Sequence, residues 1–131
     1  MKKILLISII ILSVLACKKT KFEPEGPTDV RVKNSSNVAF TDVRVNISDT
    51  IRVMGDIPAG GYSAYIRFPK AYAVALVTAK VSGQLFSTTM PDYTGKNYLG
   101  QVKITYDVNI SDLPNKILMM QVVYPYDAPL K

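Results

Sequence analysis

Histidine and tryptophan are absent from the 131 residues, and cysteine occurs once, at Cys17. Without histidine there is no Ser-His-Asp triad and no Cys-His pair. Zinc sites of the usual Cys/His kind are excluded with them. A single cysteine closes no disulfide within the chain, so an exported domain of this sequence must hold itself together through its hydrophobic core. Glutamate stops at Glu25, and the acidic residues after it are eight aspartates. No glycine-rich phosphate loop is present, because Gly60-Gly61 is a lone pair between apolar segments. The N-terminal apolar run, Ile4 to Ala16, is interrupted only by Ser8 and Ser13. As a helix it reaches about 20 Å, short of the roughly 20 apolar residues that a 30 Å bilayer core asks for.

What stands there is a secretory signal. Met1-Lys2-Lys3 supplies the basic start, Ile4 to Ala16 the apolar region, and Ala16 the small residue at the cut. Val14-Leu15-Ala16-Cys17 resembles the lipobox of bacterial lipoproteins, with Val in place of the commoner Leu at its first position. The resemblance implies cleavage between Ala16 and Cys17 and a diacylglyceryl group on the Cys17 thiol. Two or more acyl chains make such an anchor stable. The residue after Cys17 is Lys18 and not Asp, so by resemblance to lipoprotein sorting the inner-membrane retention signal is missing. That points to the outer membrane, with the domain facing the periplasm or the outside.

Residues 1–16 are therefore expected to be signal, 17–27 a lipidated cysteine and tether, and 28–131 one domain. The tether (KKTKFEPEGP after Cys17) spans at most about 35 Å when fully extended. Its Lys18, Lys19 and Lys21 can meet anionic headgroups, at about 1 kcal/mol each. From Thr28 onward 11 basic and 8 acidic residues leave a balance of +3 spread along the chain. That is surface solvation and no footprint for nucleic acid.

Through the domain the apolar period is two. Val30 and Val32 alternate with Arg31 and Lys33, and Val43, Val45 and Ile47 with Arg44 and Asn46. Ile104, Tyr106, Val108 and Ile110 oppose Lys103, Thr105, Asp107 and Asn109. Tyr62, Ala64, Ile66 and Phe68 form a further apolar row. Ala71–Val81 and Ile117–Tyr124 are apolar on both faces and read as covered central strands; the first, rich in alanine, also fits a short helix. Thr50–Met54 and Gln84–Met90 complete the strands, with turn signals between them. The expected fold is all-β, a single Ig-like antiparallel sandwich of about seven or eight strands.

A family resemblance rests on these residues. The lipobox with Lys18-Lys19, the run Val30-Arg31-Val32-Lys33-Asn34-Ser35-Ser36 with Phe40 and Val43-Arg44-Val45, the Ile57-Pro58-Ala59-Gly60 stretch and Asp92-Tyr93-Thr94-Gly95 resemble small Bacteroidota lipoproteins. The resemblance implies an Ig-like or transthyretin-like sandwich and adds nothing to mechanism.

Chemistry then rests on carboxylates and tyrosines. Asp49, Asp56, Asp92, Asp112 and Asp127 stand in turn-like contexts, where Asp binds local backbone. No spacing nominates a glycosidase pair, and Asp92 is alone in its loop where calcium would want clustered acids. No metal or cofactor is expected. Tyr93 and Tyr98, with Asp92 beside them, flank the longest polar loop, where exposed rings can stack on a sugar or a peptide. They can equally pack on the end of the domain with their hydroxyls in water. Asp49-Thr50-Ile51 resembles the Asp-Ser/Thr-apolar O-glycosylation sequon of Bacteroidota, and Thr50 can as simply start a strand. The expected role is non-enzymatic: a membrane-anchored structural or protein-interaction module, or else a glycan- or peptide-binding lipoprotein using its loop tyrosines. A small hydrolase with a Ser or Lys nucleophile is the third and least supported option.

Overall fold

Alternating valines and charges build the first strand, as a period of two requires. A computed structural model describes residues 25–130. Ala16, Cys17, the signal and most of the tether lie outside the described residues. In β1 (Thr28–Asn34) Val30 and Val32 are fully buried while Arg31 and Lys33 are half-buried. β2 (Phe40–Ile47) buries Phe40, Val43, Val45 and Ile47. β3 (Thr50–Ile57) follows through the two-residue turn Ser48-Asp49. Then come β4 (Ile66–Phe68), β5 (Leu76–Val81), β6 (Gln84–Ser87), β7 (Val102–Asp112), β8 (Ile117–Val122) and β9 (Ala128–Pro129). The fold is all-β, and no helix occurs among the described residues. None there is thus long and apolar enough to cross a membrane.

The strands form one continuous sheet in the order β3-β2-β5-β6-β8-β7-β1-β4, with β9 added beside β7. Its two ends approach each other without a ladder. Arg52 Nε on β3 donates to the Arg67 carbonyl of β4 at 3.2 Å, and Asn34 Nδ2 at the end of β1 donates to the Ile57 carbonyl ending β3 at 3.2 Å. The sheet therefore curls nearly into a barrel around one apolar interior, which Phe40, Phe68, Ile104 and Tyr106 fill. Asn34 is a polar post within that closure. It is fully buried, also donates to the Val38 carbonyl at 2.8 Å, and accepts from the Ser36 amide and hydroxyl.

Several expectations need correction. The pairing is not wholly antiparallel: β1 runs parallel to β7 from Asp29↔Lys103 to Asn34↔Val108, and β6 meets β8 at one parallel pair, Ser87↔Ile117. A period of two fixes which face is buried and carries no information on strand direction. Strand structure within Ala71–Val81 is confined to β5, with neither a helix nor a strand before it. Neither apolar segment is covered on both sides, since Leu76 is only half-buried and Met119 is exposed. A nearly closed sheet has one interior and no second layer to cover its outside. Tyr62 does not join the inward row. It is exposed, makes only an isolated bridge to Lys33, and lies 4.2 Å under the Arg31 guanidinium. β6 ends at Ser87, and past it the Thr88 hydroxyl takes over the contact with β5, accepting from the Val77 amide and donating to the Ala75 carbonyl.

Asp56 sits in β3 and not in a turn. It accepts the Asp42 amide at 2.9 Å across a bulge in β2, where Asp42 has φ 47°. That bulge, with Gly55 at φ 86° opposite, absorbs the extra residue between Phe40 and Val43.

Candidate functional site

One end of the barrel gathers tyrosines from two loops. Tyr72 precedes β5, and Tyr93 and Tyr98 belong to the loop between β6 and β7. The Tyr72 and Tyr93 ring centroids are 4.7 Å apart and those of Tyr72 and Tyr98 are 5.0 Å apart, both tilted. Such offset aromatic pairs are worth about 0.5–1.5 kcal/mol beyond their buried area. Below them Tyr106, buried on β7, donates its hydroxyl to the Tyr72 carbonyl and so holds the Tyr72 backbone in place. Burial, then the nearby Tyr93, raises the ionisation of Tyr106 well above that of an ordinary tyrosine.

Beside this cluster lies a cleft of about 240 Å³, lined by Ile47 to Thr50, Pro69, Lys70, Tyr72 and Tyr98. The β2–β3 turn forms one wall, because the Ile47↔Thr50 pair closes the hairpin and leaves Ser48 and Asp49 at its tip. Ser48 takes φ 55°, as the twist of a two-residue hairpin demands. The opposite wall is aromatic and basic. Lys70 Nζ stands 4.8 Å from the Tyr98 ring centroid and 3.5 Å from Glu25 Oε2. The Glu25 charge first, and Tyr98 second, raise the pKa of Lys70, which keeps it cationic. A hydrogen bond with Tyr98 is the main cause of a raised pKa at Tyr72. The cleft thus combines two tyrosine side chains that pair with each other, one ammonium, one carboxylate and the hydroxyls of Ser48 and Thr50. Rings with a small set of placed polar groups make an inventory suited to a polyhydroxylated ring.

The residues singled out in the sequence divide here. Tyr98 is 39% exposed and lines the cleft, and Thr50, expected for a different reason, lines it too. Tyr93 is half-buried, packs on the core and donates its hydroxyl to the Asn46 carbonyl at 3.3 Å, so it supports Tyr72 from behind. Asp92 lies outside the cleft lining. Its carboxylate accepts the Thr94 amide at 2.9 Å, and that amide, followed by the Thr94 hydroxyl, lowers its pKa. Sequence reasoning missed Tyr72 and Lys70, because both fall at the edge of a segment read as strand. The Pro69-Lys70 step before it was the available signal of an irregular stretch.

Two other features are weaker candidates. A larger hollow of about 330 Å³ opens where β6 and β8 diverge, between Thr88–Thr89 and Ile117 to Met120. No titratable side chain lines it. On the outer face Arg31 lies between the Tyr62 and Tyr65 rings, at 4.2 and 4.9 Å. There Asp127 accepts from Tyr65 and Thr105 at 2.6 Å each and pairs with Arg31 at 3.7 Å. Desolvation, then Asp127, raises the Tyr65 pKa. That network is satisfied internally and ties β1, β7 and the β9 segment together. Among the described residues no group of three or more acidic or thiol side chains could hold a metal ion.

No protein-family model matches the chain, and no curated protein matches it either. A solved structure similar to it is the NMR structure of a protein from Eubacterium rectale, 17% identical, with a TM-score of 0.47. The match covers 79% of this chain and 92% of that one. A likeness of this size assigns neither family nor function.

Proposed function

We propose that the chain is an outer-membrane lipoprotein, anchored through Cys17, whose β-domain acts by binding and carries a glycan site in the tyrosine cleft. The domain is then an Ig-like or transthyretin-like sandwich curled toward a barrel. One observation supports the glycan reading most: Tyr72 and Tyr98, distant in sequence, converge with Lys70, Asp49 and Thr50 on one cleft. The exposed part of the Tyr98 ring meets the C–H face of a sugar, while the hydroxyls and the two charges serve its polar rim. A non-enzymatic role agrees with the lack of histidine and of any cysteine after Cys17. A glycan is favoured over a peptide because the wall groups are side-chain hydroxyls, rings and two opposite charges.

Calorimetric titration of the processed protein with a panel of oligosaccharides tests this. Tyr98→Ala is expected to weaken binding about tenfold, the loss of one stacked ring at about 1.4 kcal/mol. Binding that Tyr98→Ala leaves unchanged, or the absence of binding by the wild type, overturns it. In that case the structural or protein-interaction role is what remains.

A further inference from the structure

The cleft stands at the point where the tether enters the domain. Backbone pairing fixes this: Thr28, the first residue of β1, lies opposite Phe68, and the residues before Thr28 run beside those after Phe68. Gly26 sits so close to that segment that a Cβ on it would lie 2.0 Å from the Pro69 carbonyl oxygen. Glu25 then pairs with Lys70 at 3.5 Å. The exposed ion pair adds little by itself, so strand register and the glycine contact hold the entry point. Pro69 and Lys70 are both walls of the cleft.

From Cys17 to Glu25 there are eight residue steps, and at full extension eight steps reach at most about 29 Å. With Cys17 in the bilayer, the Glu25 backbone cannot stand farther than that from the membrane surface, and Lys70 lies one ion pair beyond it. A soluble glycan gains nothing from this placement. A sugar carried on a lipid of the same leaflet stays within the tether's reach, and confinement of both partners to one membrane raises its local concentration at the cleft.

We infer that the cleft takes the sugar headgroup of a glycolipid in the membrane that holds Cys17. This rests on the glycan-binding reading and on lipidation, and it narrows the first to a membrane-borne ligand. The lipid anchor supplies local concentration, and Tyr72, Tyr98 and Lys70 supply recognition.

The test uses the full lipidated chain in phospholipid vesicles containing a dihexosyl-diacylglycerol, with plain vesicles as baseline. Occupancy is read as protection of Lys70 from an amine-reactive label, located by mass spectrometry. The wild type is expected to be protected by the glycolipid, and at the same bulk concentration of free disaccharide it is expected to stay labelled. A Gly-Ser insertion that quadruples the path from Cys17 to Glu25 doubles the root-mean-square height over which the domain is spread and should raise the glycolipid fraction needed about twofold. A midpoint insensitive to the insertion, or equal protection by free disaccharide, overturns the inference and leaves the glycan reading standing. If neither ligand protects Lys70, and Tyr98→Ala behaves as the wild type, both readings fall.

Discussion

Replacing Asn34 with alanine removes the polar post at the closure of the sheet, and its cost follows from named bonds. The side chain donates to the carbonyls of Val38 and Ile57 and accepts from the amide and hydroxyl of Ser36. One of the four has a substitute nearby, since the Ser36 hydroxyl lies 2.9 Å from the Val38 carbonyl and can turn to it. The Ile57 carbonyl and the Ser36 amide have no such replacement. At about 1 kcal/mol per lost buried bond, three losses sum to about 3 kcal/mol. The backbone bonds of residue 34 with Gly60 and Gly61 persist, so the loss falls on the closure and spares β1. With a urea slope of about 1.5 kcal/mol/M, the unfolding midpoint should drop by about 2 M with the slope unchanged. Asn37→Ala, at an exposed position in the same loop, should change stability by no more than about 0.5 kcal/mol. A midpoint shift for Asn34→Ala as small as that of Asn37→Ala would refute the assignment of Asn34 as the closing post.

Alkaline stability should depend on Tyr106. Its folded pKa lies above the ordinary 10.0, so above that pH the unfolded chain gives up a proton that the folded one keeps, and stability falls as pH rises. Tyr106→Phe is expected to cost about 1 kcal/mol at neutral pH through the lost bond to the Tyr72 carbonyl. It should also flatten the decline between about pH 9 and about pH 11 in urea midpoints, and an equally steep decline would contradict this. Tyr65 contributes in the same direction, so the decline should not vanish. Cys17→Ser should move the protein from the detergent-extracted membrane fraction to the soluble one, and the intact mass of the wild type should exceed the peptide by its acyl groups. Mass beyond the lipid would indicate a glycan, with Thr50 the first position to examine.

The faces of the strands were legible because burial imposes a period of two on any half-covered strand. Val30, Val32, Val43, Val45, Ile104, Tyr106 and Val108 all point inward as that rule requires. Direction and closure were not legible. Parallel pairing of β1 with β7 depends on how the chain crosses the barrel, and alternation is the same either way. Nor does a local pattern say that Arg52 will reach Arg67 or that Asn34 will reach Ile57, because these are contacts between sheet ends. The site was half visible. Tyr98 stood out because it flanks a long polar loop, whereas Tyr72 looked like one more apolar residue in an alanine-rich run. Only the folded chain brings it within 5.0 Å of Tyr98. Thr50 was noted for a sequon and proves to line the same cleft as Tyr98. Asp92 and Tyr93 were read as ligands in a loop; in the structure Asp92 accepts the Thr94 amide and Tyr93 donates to the Asn46 carbonyl.

The central claim, that the tyrosine cleft is where this module binds a glycan, is tested most directly by amide chemical-shift mapping during titration with the best-binding oligosaccharide. Shifts confined to Ser48, Asp49, Thr50, Lys70, Tyr72 and Tyr98 are the predicted result. Shifts centred on Ile117 to Met120 along the β6–β8 hollow, or no shifts at saturating sugar, would contradict it.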